Sequence, residues 1–317
     1  MADLVLKTVT GPHGVTRALQ DGTVAPRRFA LEFEEVPGLI PAFRRMVRGL
    51  EFDVCEMAFT TYLCARAYGK PFTALPVFPV RAFHHGAIVR GAGPASAAAP
   101  KDLEGRRAGV NRGYTVTTGV WARGILADQY GVDLDRVTWV LSGDEHVAEY
   151  VPPANVTSLE PGGDLAGLVE SGELAAGIGL AADRPGLQTL IPHAAQAGFD
   201  ALRRDGLYPI NHLVVVRDDL LAAHRGLAAD LFWAFARAKD RYTQRLNRDQ
   251  TGPQGATDRM YRRVMAITGK DPLPYGVGPN RAMIELLIRH AVRQRILDGP
   301  GPAPETLFAE GTADLAG

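Results

Sequence analysis

The chain has 317 residues, with 35 Lys or Arg against 35 Asp or Glu and 46% hydrophobic residues, enough to build one large or two ordinary globular domains. A formal charge of zero without a long basic run argues against a nucleic-acid partner, because phosphate contacts need cations gathered on one surface. No apolar run approaches the ~18 residues of a membrane span, and the start at Met1-Ala2-Asp3-Leu4-Val5-Leu6-Lys7 lacks the basic and apolar regions of a secretory signal, which points to the cytoplasm.

Leu4 to Thr10 reads as a short strand, and Gly11-Pro12-His13-Gly14 turns the chain into an amphipathic stretch from Val15 to Gln20, a ready anion site. Ala30 to Val36 alternates like a second strand, and Pro41 to Leu50 follows with Phe43, Met46, Val47 and Leu50 at helical spacing. Phe52 to Met57 predicts a third strand and Thr60 to Tyr68 a helix, and this βαβα order favours an α/β sheet. Ala74 to Phe78 is another strand, and Ala87 to Arg90 begins an extended run that ends in Gly91-Ala92-Gly93-Pro94.

Ala95 to Pro100 reads as a connector. A new unit follows, with a strand at Arg107 to Val110, a turn at Asn111-Arg112-Gly113, a helix at Thr117 to Tyr130 and a strand at Val137 to Leu141. Beyond it come a helical piece at Gly167 to Ser171, short strand Ala175 to Gly179, a β-prone strand at Asn211 to Arg217, and helices at Leu220 to Leu246 and Asn280 to Arg295. The strand at 211–217 can lead back to the first unit. The expected division is therefore one discontinuous lobe of residues 1–90 and 212–317, with a second lobe of residues 91–211 inserted into it. No internal repeat is present.

Cys55 and Cys64 are too few for a disulfide framework and too far apart for a CxxC pair, so packing in a core is their expected role. Five lysines among the basic residues leave 30 arginines, whose forked guanidinium groups suit carboxylate ligands. Gly177-Ile178-Gly179-Leu180-Ala181-Ala182 matches the loose GxGxxA form of a dinucleotide fingerprint, but Pro185-Gly186 stops the helix that would have to carry the pyrophosphate. There is no GxSxG, Walker-type loop or HExxH, and none of the four serines sits in a nucleophile elbow. Glu145-His146 with Glu149 has metal-pair spacing but indicates no third ligand, so a solvated polar turn is expected there. Adjacent His84 and His85 on an extended segment would point to opposite sides. His212 begins a buried-looking strand, where an ionisable group needs a partner or a function.

Several segments, in order along nearly the whole chain, resemble 4,5-dihydroxyphthalate decarboxylases. They are Thr16-Arg17-Ala18-Leu19, Glu51-Phe52-Asp53-Val54-Cys55-Glu56-Met57, Pro76-Val77-Phe78-Pro79-Val80-Arg81-Ala82-Phe83-His84-His85 and Val120-Trp121-Ala122-Arg123-Gly124-Ile125-Leu126. Tyr208-Pro209-Ile210-Asn211-His212, Asp271-Pro272-Leu273-Pro274-Tyr275-Gly276, Asn280-Arg281 and Pro304-Glu305-Thr306-Leu307-Phe308 complete the set. The resemblance implies a fold similar to type II periplasmic solute-binding proteins, two α/β lobes with a ligand cleft between them. It also implies loss of carbon dioxide from 4,5-dihydroxyphthalate to give 3,4-dihydroxybenzoate, without an organic cofactor, while the clustered imidazoles leave a metal open.

Such a reaction needs a proton donor for the ring carbon and forked cations for the carboxylates. On the resemblance, Arg17 and Arg81 would anchor carboxylates, and His85 and His212 would serve as proton donor and catechol-oxygen partner. Tyr114 and Thr117 would add donors at a helix start, Glu56 would orient a histidine or a phenol, and His13 and His84 would join the substrate contacts. A first loop with the pattern Gly-Asp-Tyr-Asp before Arg-Thr-Arg is implied, whereas this chain has Gly11-Pro12-His13-Gly14-Val15-Thr16-Arg17. Asn111-Arg112-Gly113-Tyr114 is also longer and more basic than the resemblance implies, which leaves another hydroxylated aromatic acid open as substrate. The competing reading is a solute-binding protein or cytoplasmic sensor for a small carboxylate; an exported binding protein needs a leader, and the start of the chain shows none. The expected partner is a small aromatic carboxylate, with no nucleic acid and no membrane, and a homo-oligomer is compatible with the sequence.

Overall fold

A computed structural model describes residues 4–182, 184–248 and 255–317. The chain runs through β1 (Val5–Val9), α1 (Arg17–Gln20), β2 (Ala30–Phe33), α2 (Leu39–Gly49), β3 (Val54–Ala58), α3 (Phe59–Ala67) and β4 (Phe72–Arg81). It continues with β5 (Ile88–Gly91), β6 (Arg107–Val110), α4 (Thr117–Tyr130), β7 (Thr138–Leu141), β8 (Val156–Ser158), α5 (Leu165–Ser171), β9 (Gly177–Ile178), β10 (Leu187–Thr189) and α6 (Ala194–Asp205). Strand β11 (Ile210–Arg217) then leads into α7 (Asp218–Ala223), α8 (Leu227–Asn247), α9 (Ala256–Thr268) and α10 (Val277–Arg293).

Two compact units result. The first joins Met1–Arg81, Ile210–Glu285 and Pro302–Gly317, and the second joins Ala82–Pro209 and Leu286–Gly301. Residues 82–90 and 286–301, which the sequence reading assigns to the first lobe, thus pack with the second unit. The reason is local: β5 pairs with β9 and β10, and the end of α10 is tied to α4, where Arg123 Nε donates to Gln294 Oε1 at 2.7 Å.

The first unit holds a five-stranded sheet in the order β2-β1-β3-β11-β4. β1 pairs parallel with β2 and β3, whereas β11 runs antiparallel between β3 and β4. β11 reads Ile-Asn-His-Leu-Val-Val-Val-Arg, a nearly continuous apolar run of the kind a strand covered on both faces requires. α2 buries Ala42, Phe43, Met46 and Val47, one stripe of a 3.6-residue period, and α3 is buried on all sides from Phe59 to Ala65. The second unit has a six-stranded sheet in the order β10-β5-β9-β6-β7-β8, with β9, β6, β7 and β8 mutually parallel. Cys55 and Cys64 are free thiols in the first core, as their spacing implies.

Some elements depart from the sequence reading. The amphipathic stretch before Gln20 yields only one helical turn, and the single helix expected over Leu220 to Leu246 is broken at Gly226, whose φ of +82° no helix can continue through. α6 and α9 are further helices that the sequence reading does not include; both are amphipathic, and α9 buries Tyr261 and Val264 with Met260 and Met265 half-buried beside them. The GxGxxA segment opens no helix: β9 is two residues long, Gly179 turns at φ +80°, and the next helix begins at Ala194. His84 and His85 start a 3-10 turn rather than an extended run, and both are buried. Among the described residues no helix is long and apolar enough to cross a membrane.

Leu213 is fully buried in the middle of β11. Leu213→Ala is expected to lower the unfolding free energy by about 2–5 kcal/mol, read as a lower urea midpoint with the slope unchanged.

Candidate active site

Because β1, β2 and β3 run parallel, their carboxyl ends lie along one edge of the first sheet, the edge where open α/β sheets gather functional groups. β11 enters at the same edge, where Ile210 pairs with Arg81 and His212 lies between Ala58 and Val80. Side chains alternate faces along a strand. With His212 opposite Ala58, Glu56 two residues earlier in β3 falls on the same face as His212.

The loop after β1 supplies the third member. Glu56 is fully buried, and its Oε1 accepts from His212 Nδ1 at 2.6 Å and lies 2.9 Å from His13 Nε2. Its Oε2 lies 3.0 Å from the same His13 nitrogen and accepts the Gly11 backbone N–H at 2.8 Å. The two imidazoles keep 27% and 21% of their side-chain surface exposed, so each retains a wet edge while the carboxylate has none. Phe43 of α2 meets the His212 ring edge-on, with centroids 5.2 Å apart. Burial by itself would raise the Glu56 carboxyl, but the charges and hydrogen bonds of His13 and His212 hold it well below the usual carboxylate range. For His13, burial disfavours the charged ring, yet the Glu56 carboxylate outweighs it and the pKa is raised.

Two glycines allow this loop to close. A Cβ on Gly11 would overlap the His13 ring, coming 2.7 Å from its Cε1, and one on Gly14 would overlap the Tyr242 ring of α8. Thr16 Oγ1 ties the loop down by donating to the carbonyls of Gly11 and His13 at 3.1 and 3.2 Å.

Arg81 is buried at the same sheet edge and donates to Asn280 Oδ1. Asn280 in turn donates from Nδ2 to the carbonyls of Pro274 and Gly276, both at 2.8 Å, so its amide is fixed and positions the guanidinium. The Tyr261 hydroxyl is bonded to the Arg81 backbone and feels the Glu56 charge; burial pushes it up to about 12, with Arg81 pulling the other way. Arg17 is exposed on α1, with Asp21 as a nearby counter-charge.

The remaining expected site residues lie in the second unit. His85 is fully buried with Nε2 3.0 Å from Gln129 Oε1, and burial lowers its pKa against that bond. His84, Tyr114 and Thr117 are buried as well. The amides at the turn before α4 are already engaged: Tyr114 N–H donates to Glu145, and Thr115 donates to the same carboxylate from its backbone at 3.1 Å and its hydroxyl at 2.6 Å. The Tyr114 ring lies under the Arg123 guanidinium, 3.8 Å from its centroid. Residues 142–150 form bends and turns at the Glu145-His146-Glu149 spacing, but Glu145 and His146 are buried, so this is not the solvated turn that the sequence implies. Structure thus joins His13, Glu56 and His212 directly and places Arg81 at their sheet edge. Gly11, Asn280 and Glu145, which the sequence did not single out for these contacts, hold the groups in place.

No family model matches the chain. A 4,5-dihydroxyphthalate decarboxylase of Comamonas testosteroni is 28% identical over 312 residues, 90% of each chain. A second, from Pseudomonas putida, is 32% identical over 197 residues, 56% of this chain and 71% of the relative. The chain belongs to the 4,5-dihydroxyphthalate decarboxylase family. Among solved structures, the Candida albicans CA3427 gene product, described as having the generic periplasmic binding protein fold, matches with a TM-score of 0.58 at 14% identity, covering 99% of this chain and 98% of its own. The periplasmic aliphatic sulphonate binding protein SsuA of Escherichia coli matches with a TM-score of 0.56 at 13% identity, covering 99% and 94%. This member of the decarboxylase family therefore has the two-lobed α/β fold of periplasmic binding proteins, as the resemblance implied.

Gly11→Ala is expected to turn the His13 ring off Glu56 while His212 stays bonded to it, read as a shift of the His13 imidazole signals in ¹⁵N NMR with those of His212 held. Glu145→Ala is expected to cost about 1–3 kcal/mol per backbone donor left without its carboxylate, measured by chemical denaturation.

Proposed function

We propose that the chain is a carboxy-lyase that converts 4,5-dihydroxyphthalate to 3,4-dihydroxybenzoate and carbon dioxide. Family membership supports the reaction class, and the His13–Glu56–His212 cluster is the observation that carries the chemistry. In the reaction the bond from ring to one carboxylate breaks, its electron pair stays on the ring carbon, and a proton takes the place of carbon dioxide. The proton must come from a donor that is held at a fixed angle to the ring carbon.

His212 meets that need. Its Nδ1 is bonded to the buried Glu56 carboxylate, which orients the ring and leaves Nε2 as the donor. His13 shares the same carboxylate and supplies the partner for a catechol oxygen. Arg81, held by Asn280 at the same sheet edge, receives the carboxylate that the product keeps, a task suited to a guanidinium fork. Of His85 and His212, expected from the sequence as proton donor and catechol-oxygen partner, His212 is retained. His13 replaces His85, whose ring is fully buried and committed to Gln129, as the second imidazole.

Incubation of the purified protein with 4,5-dihydroxyphthalate is expected to release carbon dioxide and 3,4-dihydroxybenzoate in equal amounts. His212→Ala should lower kcat by about 10²–10⁴-fold, the contribution of a positioned acid, with KM nearly unchanged. Arg81→Lys should instead act chiefly on KM, raising it by about 10-fold as the second hydrogen bond to the carboxylate is lost. Tight, reversible binding of 4,5-dihydroxyphthalate without turnover would overturn the reading in favour of a binding protein.

A further inference from the structure

His13 Nε2, a Glu56 carboxylate oxygen and His212 Nδ1 all lie within 4.8 Å of one another. The separations of 2.6 and 2.9 Å from the two ring nitrogens to Oε1 are close to those between neighbouring ligands on a small ion. Two donors at the ~2.0–2.2 Å of Zn–N and Zn–O bonds stand about 3 Å apart when they meet at a right angle. A cation seated among the three atoms therefore asks only for small side-chain rotations.

The donor set narrows the class of ion. Two imidazoles and one carboxylate suit divalent first-row transition ions, whereas Mg²⁺ and Ca²⁺ prefer oxygen alone. Backbone pairing of β3 with β11 fixes two of the ligands in register. The Gly11 N–H on Oε2 is the kind of outer hydrogen bond that orients a ligating carboxylate, and Phe43 sets the plane of the His212 ring. An ionised Glu56 also offsets part of the ion's charge, which lessens the cost of burying it. The residual exposure of both imidazoles gives the ion an approach and leaves positions for water, as in sites with three protein ligands.

We propose that His13, Glu56 and His212 form a binding site for one divalent first-row transition ion. Binding engages the two nitrogens that now hold Glu56 and places a cation where the two imidazoles would meet the substrate; this second consequence rests on the decarboxylation reading, and the site itself does not.

The test uses the full-length protein, freed of metal with a chelator and titrated with Co²⁺ and then Zn²⁺. Visible Co²⁺ bands should saturate at one ion per chain and disappear on addition of one equivalent of Zn²⁺. His13→Ala and Glu56→Gln should each weaken Co²⁺ binding at least ~10-fold, and Gly11→Ala, which keeps every ligand side chain but displaces the His13 ring, should weaken it as well. No bands, or bands that all three variants leave unchanged, would overturn the site. Turnover of 4,5-dihydroxyphthalate, followed in the same samples, separates this inference from the functional reading. The chelated protein should turn over and one equivalent of Zn²⁺ should suppress it. Co²⁺ bands with no turnover in either state would support the site and overturn the functional reading. Turnover that requires the ion would support the site and overturn His212 as the acid.

Discussion

The first unit depends on a carboxylate that it cannot leave alone. Glu56 sits in β3, in the middle of the sheet, with no solvent exposure, and an ionised carboxylate taken out of water costs several kcal/mol unless partners replace its hydration. Two imidazoles and one backbone amide do so. Each partner constrains a different stretch of chain. The loop after β1 must fold back over the sheet edge, β11 must pair in the register that brings His212 onto the face of Glu56, and residue 11 must lack a side chain.

These constraints also fix the groups that surround the carboxylate. The bond to Glu56 fixes the orientation of His212, whereas a histidine on an exposed loop would keep many orientations. The second unit buries polar groups in the same paired fashion for a different end. Glu145 fills the amides at the turn before α4, and fully buried Arg123 is held by Gln294, the Tyr114 carbonyl at 2.6 Å and the Tyr114 ring. There these bonds lie within the unit and serve its stability. Shared fold with binding proteins identifies neither arrangement, since that fold is a scaffold on which sites of different chemistry are set.

Much of the fold was legible because its elements are strongly patterned. The helix at Thr117 to Tyr130 and the strand at Arg107 to Val110 have the boundaries their sequence predicts, and β11 announces itself by its run of β-branched residues. α6 and α9 are amphipathic, but their apolar stripes are narrow and set among small and charged residues, which makes them less legible in the linear order. For the site, His212 was legible as an ionisable group in a buried strand and Glu56 as a carboxylate able to orient it. The role of His13 was not, because its partner lies 43 residues away and nothing in Gly-Pro-His-Gly names it. Asn280 and Arg81 are separated by 199 residues, and their bond is equally silent in the linear order.

By itself the sequence determined the α/β class, the absence of a broad basic surface, the family resemblance and the residue types available for acid–base and carboxylate chemistry. These follow from composition, local period and short segments, all of which act over a few neighbouring residues. Only the tertiary structure decided which histidines share the carboxylate and which arginine is held beside them. Those choices depend on strand register and on loop closure over tens to hundreds of residues, where a shift of one position would turn His212 to the opposite face of the sheet and leave Glu56 buried without it.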